Sequence, residues 1–137
     1  MPEEVDIGTF YTGDDGRLKG QNGRKVAFEA DSVLVRVTHC GLCASELTVM
    51  RMENAALGHE PIGLVERIGE AVTGFKVGDR VGWGCVRGAC GSCISCLGGH
   101  DQNCRDTKSY GKNDDDTGGF SDFAVVKAGW LHQVGDF

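Results

Sequence analysis

Cys90-Gly91-Ser92-Cys93-Ile94-Ser95-Cys96, followed after seven further residues by Cys104, is the stretch around which the chain is organised. Three cysteines at every third position, with a fourth close behind, can wrap one ion. Four thiolates in a closed tetrahedral shell are the arrangement that structural zinc prefers. Gly91, Gly98 and Gly99 let the backbone bend tightly around a metal, because glycine has no Cβ to clash. The competing reading is a disulfide cluster or a few buried thiols. Cysteines this close together would form strained disulfides. The acidic start Met1-Pro2-Glu3-Glu4-Val5-Asp6 also lacks the apolar segment of a signal peptide that would point to an oxidising compartment.

The 137 residues suit one domain with a real core, spanning 1–137, and 40% of them are hydrophobic, an ordinary globular value. Glycine is abundant at 22 and proline scarce at 2, which suggests many turns and short strands. No apolar run approaches membrane-spanning length. With seven cysteines read as thiols for metal, the expected compartment is the reducing cytoplasm and no membrane partner is expected. The formal net charge is −6, and a zinc held by four thiolates makes the chain more acidic still. That weighs against a nucleic-acid partner and against a zinc-ribbon DNA module, which would need a basic face.

Outward from the cysteines, the first strand expected is Ser32 to Thr38, with Val33, Val35 and Val37 on one face and Arg36 and Thr38 on the other. Before it, Thr9-Phe10-Tyr11 reads as a short strand leading into a turn at Gly13-Asp14-Asp15-Gly16, and Asn22-Gly23 reads as another turn. After it, Ser45 to Met52 reads as a short helix with Ser45 as its N-cap. Ile62 to Ile68 reads as a strand, Val72 to Gly82 as a tight turn and a strand running through Trp83, and residues 85–104 as a mostly irregular lobe. Asp114-Asp115-Asp116 is expected in a solvated loop. Strands are expected at Ser121 to Lys127 and at Trp130 to Val134. Many short strands, glycine turns and little helix predict a mainly β fold, a small and partly open β-barrel.

Cys43, His59 and Glu60 form a second constellation. A turn thiolate and an imidazole well apart in sequence can meet in a fold and share a metal, and a catalytic zinc keeps one position for water or substrate. Such a zinc acts as a Lewis acid on an alcohol or carbonyl oxygen, favouring the alkoxide that can give up a hydride. Ser45, two residues from Cys43, is placed to take the alcohol proton, and Glu46 to orient the imidazole. The plainer reading is that a lone Cys and a lone His are packing or surface residues. Cys40 and Cys43 also form a Cys-x-x-Cys pair, redox-active or metal-binding in other settings, but no thioredoxin-like βαβ pattern surrounds it.

Taken in order, Val33-Leu34-Val35-Arg36-Val37, Cys40-Gly41-Leu42-Cys43, Gly58-His59-Glu60, Val77-Gly78-Asp79-Arg80-Val81 and the four-cysteine lobe resemble the catalytic, GroES-like domain of zinc-dependent medium-chain alcohol dehydrogenases. Gly118-Gly119-Phe120-Ser121-Asp122-Phe123-Ala124-Val125-Val126 resembles the strand that follows the lobe in that family. The resemblance covers roughly residues 30 to 134. It implies a GroES-like barrel with Cys43 and His59 as catalytic zinc ligands and Glu60 as the acidic neighbour that can approach the metal. It further implies Ser45 as the hydroxyl that relays the alcohol proton, and Cys90, Cys93, Cys96 and Cys104 as structural zinc ligands.

The sequence departs from that family at several positions. Glu46 stands where the family usually has Asp, so the contact behind the ligand needs a different reach. Ala44 stands where many members have a residue that helps to bind cofactor phosphate, and Thr48 where many have a proton-exporting His. No Gly-x-Gly-x-x-Gly follows a strand anywhere in the 137 residues, so the Rossmann cofactor domain of the family is expected to be absent from them. The function implied is therefore the zinc-binding catalytic domain of an NAD- or NADP-dependent alcohol dehydrogenase, incomplete for catalysis on its own. Its substrate would be a small alcohol or aldehyde, and the longer enzyme could form oligomers. The alternative is a zinc-stabilised β-barrel interaction module without chemistry.

Overall fold

The computed structural model of the chain describes residues 2–113 and 116–135. Its strands are β1 (Glu3–Asp6), β2 (Phe10–Asp14), β3 (Arg17–Gln21), β4 (Lys25–Phe28), β5 (Ser32–Cys40), β6 (Pro61–Ile68), β7 (Arg80–Gly82), β8 (Val86–Gly88), β9 (Lys108–Ser109), β10 (Phe123–Lys127) and β11 (His132–Gln133). Two short helices, α1 (Ser45–Val49) and α2 (Ile94–Leu97), complete the main elements, so the mainly β expectation holds. No helix among the described residues is long and apolar enough to cross a membrane.

The centre is a five-stranded sheet in the order β10-β5-β6-β7-β11, with every neighbouring pair antiparallel. β5 lies inside it because its alternating valines suit a pleated, half-buried surface. Val33 and Val35 are fully buried and pack with Val65, Val81, Trp83, Ala124, Val126 and Leu131. Each valine or leucine side chain among them contributes roughly 1.5–3 kcal/mol on removal from water, before entropy is counted. Irregular register between β5 and β6, at Leu34/Val35 and again at Val37/His39, bends the strand near its end. That bend precedes the turn carrying Cys43. The remaining strands form two-stranded pieces, β1-β4, β2-β3 and β8-β9, so the barrel is partly open.

Several expectations are corrected here. The first 28 residues hold three paired strands beyond the expected one. The turn expected over Gly13 to Gly16 narrows to its second half: Gly13 and Asp14 are strand, and the chain reverses over Asp15 and Gly16, both at positive φ (48° and 77°), which joins β2 to β3 by a two-residue hairpin. The helix ends at Val49 rather than Met52, and its N-cap is Ala44, with no side-chain cap. Trp83 lies beyond β7 as a core residue whose Nε1–H donates to the Thr117 carbonyl at 2.9 Å. The late strand begins at Phe123, and Ser121 makes only an isolated bridge to Phe10. The final strand is confined to His132–Gln133. Cys85, at the start of the lobe, is exposed. Of the triple aspartate only Asp116 falls within the described residues, and it pairs with Arg24 at 3.2 Å.

Candidate functional site

The lobe is held at its base by the β8–β9 ribbon and folded over by α2, which starts directly after Cys93. The four sulfurs of Cys90, Cys93, Cys96 and Cys104 lie within 4.8 Å of one another. Cys93 and Cys96 are 3.5 Å apart, and Cys90 and Cys96 3.9 Å. Backbone N–H groups point at the sulfurs, that of Cys93 at Cys90 Sγ (3.4 Å) and that of Asp106 at Cys104 Sγ (3.3 Å). The Ser92 and Cys93 amides hold the Cys90 thiol down to about 6, while desolvation and the neighbouring Cys93 push Cys96 up to about 12. One thiol therefore gives up its proton readily, and crowding opposes the next. A cation resolves that conflict, so the donor set fits a thiophilic metal.

The second cluster assembles from three segments. β5 delivers Cys40 and the turn to Cys43. Ser45 and Glu46 open α1, and Gly58-His59-Glu60 lead into β6. The Gly41 N–H donates to the Glu60 carbonyl at 3.0 Å and holds the two loops together. One ligand atom from each of Cys43, His59 and Glu60 falls within 4.8 Å of the others. His59 Nε2 is 3.9 Å from Cys43 Sγ. The opposite ring nitrogen, Nδ1, is 3.1 Å from Ser45 Oγ and 3.5 Å from Glu46 Oε1. Ser45 Oγ is also 3.1 Å from Cys43 Sγ and donates to Glu46 Oε1 at 3.2 Å. Ser45 thus serves the cluster rather than capping the helix. Glu46 turns its Oε2 back to accept the Cys43 N–H at 2.7 Å, an amide that lies one residue before the helix cap.

Glu46 is 2% exposed, and its charge is compensated on several sides. Burial raises its pKa, yet the Cys43 N–H, the Tyr110 and Ser45 hydroxyls and nearby His59 outweigh that, so the carboxyl stays below its ordinary value. The Tyr110 hydroxyl donates to Glu46 Oε1 and accepts the Gly58 N–H, both at 2.9 Å. Its ring stacks on His59 with centroids 4.8 Å apart. Arg87, 6% exposed, donates to the Gly58 carbonyl at 3.1 Å and lies over the Tyr110 ring. Tyr110 and Arg87 were not singled out by sequence. A tyrosine and an arginine at the ends of a cysteine lobe carry no spacing signal for a metal centre.

Gly58 sits at φ +93°, and a Cβ there would come within 2.7 Å of Cys40 Sγ and 2.8 Å of Phe120 Cδ1. Only glycine lets the chain pass this close, and the adjacent His59 depends on that passage. Burial pushes the Cys40 thiol above its ordinary pKa, with the Glu46 and Glu60 charges adding to the effect. An open groove of about 410 Å³, lined by Tyr11, Leu18, Val37, Cys40 and Phe120 among others, lies beside Cys40. None of Cys43, Ser45, His59 or Glu60 lines it, so it is not the mouth of that cluster.

A family model described as "Alcohol dehydrogenase GroES-like domain" matches residues 29–136. Among curated relatives, a probable cinnamyl alcohol dehydrogenase 8B of Oryza sativa subsp. japonica is 34% identical over 93% of this chain and 32% of its own length. Cinnamyl alcohol dehydrogenase 8 of Arabidopsis thaliana is 36% identical over 76% of this chain and 32% of its own. Among solved structures, a cinnamyl alcohol dehydrogenase of Sorghum bicolor superposes with a TM-score of 0.81 at 30% identity, covering 93% of this chain and 40% of that one. The chain spans about a third of the length of the curated relatives it matches.

Proposed function

Because the chain belongs to the alcohol dehydrogenase GroES-like domain family, we propose that it is the zinc-binding catalytic domain of an enzyme that interconverts an alcohol and its aldehyde or ketone with a nicotinamide cofactor. The observation that carries this reading is the convergence of Cys43, His59 and Glu60 on one point, with Ser45 touching both Cys43 and His59. A thiolate, an imidazole and a carboxylate are a donor set that zinc accepts. Zinc held there supplies Lewis acidity to the substrate oxygen. Ser45 takes the alcohol proton at Oγ. Glu46 and Tyr110 hold His59 from behind, and the low pKa of Glu46 keeps it an anion for that task. Cys90, Cys93, Cys96 and Cys104 hold the structural zinc. Hydride transfer also needs a nicotinamide platform, and no glycine-rich phosphate turn is found in these 137 residues.

The relatives' names make cinnamyl-type alcohols the first substrates to test. The net charge of −6 favours a small-molecule substrate over nucleic acid, and seven free thiols favour a reducing cytoplasm. The decisive measurement counts zinc per chain, then follows nicotinamide reduction with cinnamyl-type alcohols. Two zincs in the wild type and one in Cys43→Ala are expected. The 137-residue chain should be silent, while a longer gene product carrying the same residues should be active and should lose activity on Cys43→Ala. One zinc in both proteins, or activity that ignores Cys43→Ala, would overturn the reading.

A further inference from the structure

Behind His59, Tyr110 joins the imidazole, the Glu46 carboxylate and the Gly58 peptide. Its hydroxyl makes two bonds at once, donating to Glu46 Oε1 and accepting the Gly58 N–H, each at 2.9 Å. Its ring lies against the imidazole, 4.8 Å between centroids with 29° between planes. Tyr110 therefore touches the peptide before His59, the face of its ring, and the carboxylate near its Nδ1. It follows directly on β9, the strand that closes the base of the four-cysteine lobe. Arg87, from the paired strand β8, holds the Gly58 carbonyl. The N–H and C=O of Gly58 are thus both gripped by side chains from the ribbon under the lobe.

We propose that Tyr110 is a positioning residue for the Cys43–His59–Glu60 metal site, fixing the His59 imidazole through Glu46 and Gly58 and tying that site mechanically to the four-cysteine lobe. The inference rests on the reading of Cys43, His59 and Glu60 as a metal site. Groups that orient a ligand imidazole typically change metal affinity by about 10–100-fold when removed. Tyr110→Phe keeps the ring against His59 but removes both hydroxyl bonds, leaving the Gly58 N–H unpaired. The imidazole then keeps its packing and loses its aim.

Cobalt(II) is the probe, because its visible spectrum distinguishes a four-thiolate site from one with a single thiolate. The 137-residue chain is loaded with cobalt and titrated with a competing chelator, following each site by its own bands. The wild type should bind two ions. Tyr110→Phe should also bind two, with affinity at the single-thiolate site about 10–100-fold weaker and its bands shifted, while the four-thiolate bands stay in place. Val126→Ala, a core truncation in β10, controls for general destabilisation and should leave single-thiolate affinity unchanged. A wild type that binds two ions, with Tyr110→Phe matching it at the single-thiolate site, overturns the inference alone. So does Val126→Ala weakening that site as much as Tyr110→Phe. A wild type that binds one cobalt overturns the metal-site reading and the inference with it.

Discussion

Glu46 shows how one methylene changes a site. The resembling family usually has aspartate there, and the longer side chain here bends back to the Cys43 N–H while still meeting Ser45 and Tyr110. Glu46→Gln keeps the shape but presents a donor where donors already point. In the metal-free chain it should cost about 1.5–3 kcal/mol, the worth of hydrogen bonds to a charged group, read as a lower urea midpoint at unchanged slope. Gly58→Ala acts through the backbone. A side chain at φ +93° and a Cβ 2.7 Å from Cys40 Sγ should together cost about 2–4 kcal/mol in the same assay. A loss below half a kcal/mol would show that the loop relaxes freely. The residues that sequence could single out, Cys43, Ser45, His59 and Glu60, are those whose side chains speak for their own chemistry. Tyr110 and Arg87 act through shape and hydrogen bonds to others, and nothing in their spacing announces that.

Elements with a strong pattern were readable, and elements defined by their partners were not. The alternating valines of β5 place it in the core from sequence alone, and β6 follows the same logic. In the first 28 residues β1 and β3 are short, polar and largely exposed, so what makes them strands is pairing rather than composition. At α1 the sequence offers Ser45 as a cap, yet the hydroxyl is drawn to Cys43 and His59, and Glu46 satisfies the Cys43 amide instead. Spacing places the cysteines of the lobe together, and the structure brings their sulfurs within 4.8 Å. α2 and the loop around it bury little apolar surface, with Ile94 90% and Leu97 76% exposed, so metal should supply much of the lobe's order. Cys93→Ser should lose the lobe zinc and lower the melting temperature. Elemental analysis beside a thermal melt checks this, and a zinc-free wild type melting at the same temperature would refute it.

At the scale of the whole molecule the two clusters proposed to hold zinc differ in ligand number and softness, and that should set the order in which they empty. Four thiolates bind a borderline-soft ion more tightly than one thiolate, one imidazole and one carboxylate. A mild chelator should strip the Cys43–His59–Glu60 site first, and simultaneous loss of both zincs would contradict the assignment. The molecule is also tied across its edge by Lys127 of β10, which pairs with Glu29 and Asp31 between β4 and β5. Burial lowers the Lys127 pKa, but Asp31 and Glu29 more than offset it, so the folded value lies above the ordinary 10.5. Its contribution is therefore complete below about pH 10.5 and is lost as pH rises through the raised folded value. Lys127→Met should cost only about 0.2–1 kcal/mol at pH 7, because all three groups are well exposed, and the difference from wild type should shrink at strongly alkaline pH. The order β10-β5-β6 also carries a consequence for synthesis. β5 gains β6 soon after it is made, but β10 follows it by roughly 80 residues. At about 5–20 residues per second, a ribosome leaves one edge of the central strand bare for about 4–16 s in every new chain. During that interval its valines and unpaired amides are open to any neighbouring nascent strand, so crowding of translating copies, rather than the finished protein, is where this fold is most exposed to aggregation.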